Sequence, residues 1–165
     1  MKGIDVTLRD VIESDLTTFF EQQLATAVNR LAAYTREDPT DLDAFIARWT
    51  RTLSDPAITT QAVLEGEQVA GYIASFPRSG KREVSYWLGI SYWGRGIATA
   101  ALRRFLERIQ VRPLYARVAK DNVASMRVLH KCGFAICRED ESYTNARGED
   151  VKEFLLELRQ GVLHT

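Results

Sequence analysis

Apolar and polar residues alternate over residues 4–9, with Ile4, Val6 and Leu8 set against Asp5, Thr7 and Arg9, the period of a half-buried strand. Ser14 precedes Leu16, Phe19, Phe20 and Leu24, spaced by three and four, which predicts an amphipathic helix with Ser14 as its N-cap. After the turn Asp38-Pro39-Thr40, the positions Leu42, Phe45, Ile46, Trp49 and Leu53 predict a second helix, capped by Thr40 and stopped before Pro56. Two β-rich runs, 58–64 and 69–76, flank Glu65-Gly66-Glu67-Gln68, and a third, 83–90, follows a turn over 77–82; together they read as an antiparallel meander. Helical spacing returns at Ile97, Ala101, Leu102, Phe105, Leu106 and Ile109 and ends ahead of Pro113, where a strand over 114–119 begins. A helix over 122–132 closes at Gly133, where a left-handed cap costs little, and Phe134 folds back on its last turn. Strands over 134–143 and 151–158 flank a turn at 145–149. The order β-α-α-β-β-β-α-β-α-β-β, with no internal repeat, predicts one domain over residues 1–165, of which 161–165 form a flexible tail.

Composition narrows the function classes. Lys plus Arg and Asp plus Glu both total 22, so no global charge draws the chain to nucleic acid or anionic lipid, and any anion site must be local. No apolar run is long enough to cross a bilayer and the N-terminus lacks an apolar signal core, so a cytoplasmic location is expected. Cys132 and Cys137 read as reduced, structural thiols, and with only His130 and His164 beside them no metal site is expected.

The chemistry concentrates in Ser91-Tyr92-Trp93-Gly94-Arg95-Gly96-Ile97-Ala98-Thr99. Two glycines and an arginine stand between a strand end and the first turn of a helix, where backbone N–H groups without helical partners converge beside the positive end of the helix dipole. Gly94, Gly96 and Ala98 would let an anion reach the backbone, and Arg95 could add a charge-assisted contact. A plain turn is the competing reading of this Gly-x-Gly, since turns before helices use glycine anyway. The nucleoside-triphosphate loop Gly-x-x-x-x-Gly-Lys-Ser/Thr is absent, and a dinucleotide fingerprint would want Gly where Thr99 stands.

Three pieces in order, Glu83-x-x-Tyr86-Trp87-Leu88, Tyr92 to Thr99 as above, and Asn122-x-x-Ser125 followed by Val128-Leu129 and Lys131-x-Gly133-Phe134, resemble the GNAT superfamily of acyl-CoA-dependent N-acetyltransferases. The branch most similar is that of ribosomal-protein N-terminal (alanine/serine) acetyltransferases and their small-molecule relatives; Trp93, where many relatives carry Gln or Arg, argues for it. The resemblance implies an α/β (α+β) fold with a mixed, mostly antiparallel sheet of about six or seven strands, helices on both faces, and central strands splayed into a cleft for CoA. It implies acetyl-CoA as co-substrate, no metal, and direct transfer to a primary amine on a small molecule or a peptide or protein N-terminus, with no nucleic acid or membrane partner. A homodimer stays open. Leu88, Gly89 and Ile90 would offer backbone hydrogen bonds to pantetheine, one of their N–H groups polarising the acetyl carbonyl, while Gly94, Arg95, Gly96, Ile97, Ala98 and Thr99 would hold the pyrophosphate. Asn122 would touch pantetheine, and Ser125 would orient the cofactor sulfur while water delivers the proton.

Glu83 matches the family's catalytic glutamate and is the expected base, against the alternative of a strand-end carboxylate in solvent. Asn122 has the competing role of a helix cap, with Asp121 also available. Glu139, Asp140 and Glu141 are rival carboxylates, His130 a weaker candidate by type, and Tyr143 a candidate for lining the acceptor cavity. The clusters Glu139-Asp140-Glu141 and Glu149-Asp150 would attract a cationic acceptor or would be ordinary solvated charges. Two other functions fit the loop: a non-catalytic acyl-CoA sensor or scaffold, and a nucleotide-phosphate binder without a pantetheine groove.

Overall fold

A computed structural model describes residues 4–29, 41–144 and 149–159. The chain runs β1 (Val6–Arg9), α1 (Glu13–Asn29), α2 (Leu42–Ser54), β2 (Thr59–Glu65), β3 (Gln68–Arg78), β4 (Lys81–Leu88), α3 (Ile97–Arg108), β5 (Leu114–Ala119), α4 (Val123–Lys131), β6 (Ala135–Thr144) and β7 (Glu149–Leu158), the order that the periodicity predicts. Seven strands join in the order β1-β2-β3-β4-β5-β7-β6. Every pairing is antiparallel except that of β4 with β5.

Strand alternation divides the sheet into two buried faces. On one, Val84 and Leu88 of β4 and Leu114, Ala116 and Val118 of β5 pack against Leu102 and Phe105 of α3 and Leu129 of α4. On the other, Ala62 and Tyr72 meet Leu16, Phe19 and Phe20 of α1 and Phe45 and Trp49 of α2. Helices therefore cover both faces, and each fully buried Leu or Phe contributes about 1.5–3 kcal/mol relative to exposure.

Local chemistry departs from expectation at four places. Helix α1 begins at Glu13, so Ser14 lies inside it; the Asp15 carboxylate instead accepts the Ile12 N–H at 2.9 Å while pairing with Arg9 at 2.7 Å. Helix α2 is capped by Asp41, which accepts the Ala44 N–H at 3.0 Å, and the expected cap Thr40 lies outside the described residues. The turn expected over 77–82 contracts to Ser79 and Gly80, whose φ values of 52° and 78° suit a two-residue hairpin, leaving Pro77 in β3 opposite Arg82. Strand β4 ends at Leu88, two residues early, because the chain turns into a 3₁₀ turn at Ile90–Tyr92. Helix α4 closes as expected: Gly133 has φ 96°, and the Gly133 and Phe134 N–H groups donate to the carbonyls of His130 and Leu129. Of the turn expected over 145–149, residues 145–148 lie outside the described residues and Glu149 instead opens β7; the tail expected over 161–165 also lies outside them.

Candidate active site

Strands β4 and β5 share a single ladder position, Glu83 opposite Tyr115, and no further pairing follows it. Beyond that position the backbone of β4 has no strand on its β5 side. The Gly89 N–H donates to the Ala70 carbonyl at 2.9 Å, which makes Gly71 and Leu88 a non-hydrogen-bonded antiparallel pair. The Leu88 N–H and C=O consequently point away from β3, into the gap. The carbonyl accepts from the Trp93 indole Nε1 at 2.9 Å. Of the three residues expected to face pantetheine through their backbone, Gly89 thus spends its N–H inside the sheet, whereas Leu88 aims its own at the gap. Gly71 lets this happen: a Cβ there would stand 1.9 Å from the Trp87 carbonyl oxygen, so only glycine allows β3 and β4 to approach so closely.

Next along the chain, Gly94 (φ 72°) and Gly96 (φ 79°) take left-handed conformations and swing the backbone into α3. Gly96 is the N-cap and offers no side chain, and the first helical bond runs from the Ala100 N–H to the Gly96 carbonyl. The N–H groups of Ile97, Ala98 and Thr99 precede that bond, so the helix N-terminus is left for an external anion. Gly94, Arg95 and Gly96 are exposed, and a Cβ on Gly94 would meet nothing within 4 Å. A helix start of this kind can accept an anion. The Arg95 side chain is turned to the Glu65 carboxylate and lies 5.8 Å from the centre of the Tyr92 ring.

Asn122 caps α4, its Oδ1 accepting the Ser125 N–H at 3.1 Å; Asp121 is not the cap. The Ser125 hydroxyl in turn meets the Tyr86 hydroxyl at 2.8 Å, so β4 and α4 are bridged by two oxygens. Burial raises the Tyr86 pKa above its ordinary value, opposed by the weaker effect of Ser125.

Glu83 is not in solvent. It is 2 % exposed, with one carboxylate oxygen 3.0 Å from Arg117 Nε and the other 4.0 Å from Arg78. Arg117 also lies 3.7 Å from Glu153, a second buried carboxyl whose pKa is raised by burial. Of the rival groups, Glu139 is exposed and paired with Lys120, and His130 is exposed in the last turn of α4. The side chains of Asp140, Glu141, Tyr143, Glu149 and Asp150 lie outside the described residues. Cys132 is buried, with its thiol held protonated by burial, while Cys137 is exposed and so is not a core residue; both are free. Among the described residues no cluster of His, Cys, Asp and Glu could hold a metal ion.

A cavity of about 270 Å³ lies between α1, α2 and the sheet, and Ser85 and Trp87 form its β4 wall. They alternate with Val84, Tyr86 and Leu88, so one strand presents its N–H edge to the gap and one face to the cavity. The wall from α2, with Phe45, Arg48 and Trp49, reads in sequence as an ordinary amphipathic helix; the signal for it is Arg48, a charge three residues after Phe45 within the apolar stripe.

Residues 5–135 match the acetyltransferase (GNAT) domain model. The chain belongs to the GNAT acetyltransferase family. As a family member it is an acyl-CoA-dependent N-acetyltransferase with acetyl-CoA as co-substrate. Similar solved structures include the microcin C7 self-immunity acetyltransferase MccE in complex with acetyl-CoA and AMP, at 13% identity and TM-score 0.82, covering 94% of this chain and 92% of that one. Mycobacterium smegmatis RimJ in complex with CoA-disulfide is similar at 20% identity and TM-score 0.77, over 94% and 84% of the two chains. A ribosomal-protein-alanine N-acetyltransferase from Brucella melitensis aligns at 21% identity and TM-score 0.78, over 93% and 99%. No curated protein sequence matches the chain. Among the described residues of this acetyltransferase, no helix is long and apolar enough to cross a membrane.

Proposed function

We propose that this GNAT protein transfers the acetyl group of acetyl-CoA directly to a primary amine, carried on a small molecule or a peptide N-terminus, within a ternary complex. The observation that carries this reading is the open side of β4, with the Leu88 N–H aimed into it beside the uncapped N-terminus of α3. Two of the structural relatives bind acetyl-CoA or a CoA disulfide, which supports the same use of the gap here. When bound, acetyl-CoA supplies the activated acyl group and a thiolate leaving group.

The N–H groups over 97–99, with Gly94 and Gly96, hold the pyrophosphate. The Leu88 N–H meets the acyl oxygen where negative charge develops, and such a donor acts on the transition state more than on the ground state. Ser125, fixed by Asn122 and Tyr86, orients the sulfur, and water delivers the proton as the C–S bond breaks. Asn122 keeps its capping bond and can offer its amide nitrogen to pantetheine. As the amine nitrogen bonds to the carbonyl carbon, its proton passes to Glu83 through a water. Glu83 is suited because it shares the face of Ser85 and Trp87 on β4.

A second role for Glu83 has its own support: its ion pair with Arg117 sits at the sole β4–β5 ladder position and would fix where the gap begins. Glu83→Gln separates the two. As base, Glu83 requires kcat to fall by about 100- to 10,000-fold with acetyl-CoA affinity and melting temperature retained. Loss of affinity and stability with turnover scaled to folded protein would assign it to positioning.

A further inference from the structure

The described walls of the cavity beside β4 differ in chemistry from what a polycation or a basic peptide would need. Among the described residues lining it, Arg48 carries the only formal charge, and there is no carboxylate. Thr52 and Thr60 add hydroxyls, while the remaining walls are dominated by rings. Those rings do not form an open cage for a cation. Phe19, Trp49 and Tyr72 pack on one another, with centroids 5.1 Å apart for Phe19–Trp49 and Phe19–Tyr72 and 4.8 Å for the edge-on pair Trp49–Tyr72. These three rings are engaged with one another, and on their side the cavity has an apolar wall. The cavity, of about 270 Å³, has room for a ligand of amino-acid size.

Resting on the acetyl-transfer reading above, we infer that the acceptor is a compact zwitterion-forming amine, an amino acid or close analogue with an apolar side chain, whose acid group is recognised by Arg48. The apolar side chain lies against Phe45 and Trp49, the carboxylate meets the guanidinium, and the amine is left toward Ser85 on β4, nearest the gap. A guanidinium matches a carboxylate through paired N–H donors and rejects an ammonium in the same place by like charge. The inference opposes the cationic acceptor suggested by the acidic clusters over 139–141 and 149–150. Glu139 of that set already faces Lys120.

The test uses the purified full chain and acetyl-CoA, with leucine, methionine and phenylalanine, their carboxamides, spermidine, and a tripeptide of neutral side chains. Thiol release should be faster with at least one free acid than with its carboxamide, by roughly 10- to 100-fold in kcat/KM and mainly through KM, the worth of one charge-assisted hydrogen bond. Arg48→Gln should erase that ratio, chiefly by raising KM for the free acid, while Arg48→Lys should restore part of it. Melting temperatures for both variants separate lost recognition from lost folding. Preference for spermidine, the tripeptide or the carboxamides, or an acid-to-carboxamide ratio that survives in folded Arg48→Gln, overturns the inference. So does turnover of nothing in the panel by protein that binds acetyl-CoA in calorimetry, and the transferase reading then stands without it. Failure to bind acetyl-CoA fells that reading, and the inference with it.

Discussion

Replacing Gly71 by alanine adds one methyl group at the place where β3 and β4 come closest. The new Cβ would lie 1.9 Å from the Trp87 carbonyl oxygen and 2.9 Å from the Leu88 Cα, both backbone atoms held inside the sheet. Ordinary contact between such atoms is about 3.5 Å, so the strands must part locally by roughly 1.5 Å. Overpacking costs about 1–3 kcal/mol where side chains can yield, and backbone pinned between two strands puts this case near ~3 kcal/mol. For a domain of this size that lowers the melting temperature by roughly 6–12 °C. The same displacement moves the Leu88 N–H, and losing one donor of this kind costs about 100- to 1000-fold in kcat. Calorimetric melting and thiol release with the best acceptor found would measure the two effects. A Gly71→Ala protein that melts and turns over like the parent would refute both the close approach and the assignment of Leu88.

Gly96→Val forces a branched residue to φ 79° against Ile4, 3.0 Å from its Cβ, and should weaken CoA binding by calorimetry even when the variant folds; unchanged affinity would remove the loop from the site. Asn122→Ala should cost about 1 kcal/mol of stability through the lost cap, read by urea unfolding. Tyr86→Phe keeps the ring and frees the Ser125 hydroxyl, so kcat should fall with KM for acetyl-CoA little changed. Glu153 binds its proton more tightly folded than unfolded, so its contribution to stability is greatest below its unfolded pKa and declines as pH rises toward the raised folded value. Urea unfolding of Glu153→Gln across that interval should show a flatter pH dependence than the parent.

Most of the fold was legible because its elements carry strong periodicity: the stripe Ile97, Ala101, Leu102 and Phe105 is the buried face of α3, and Leu114, Ala116 and Val118 are the inward row of β5. Ends were less legible. Asp41 and Asp15 won their capping places from Thr40 and Ser14, since the competition among neighbouring oxygens is decided by where the chain enters the helix. The turn into α3 was readable from Gly94 and Gly96, which take left-handed conformations at the helix start. The surroundings of Glu83 were not, because Arg117 is 34 residues away in sequence and reaches it from β5, and Glu153 on β7 is linked to it only through Arg117. Gly71 looked like an ordinary strand residue, and its role rests on how near Trp87 stands across the ladder.

In the proposed complex acetyl-CoA occupies the gap beside β4 and is met by the Leu88 N–H and the start of α3. Nitrogen-15 NMR of the amide groups during titration with CoA and acetyl-CoA tests it most directly. Saturable shifts are expected at Leu88, Gly94, Gly96, Ile97, Ala98, Thr99 and Ser125 with both ligands, with an additional shift at Leu88 for acetyl-CoA alone. Shifts confined to other regions, or a Leu88 amide indifferent to the acetyl group, would contradict it.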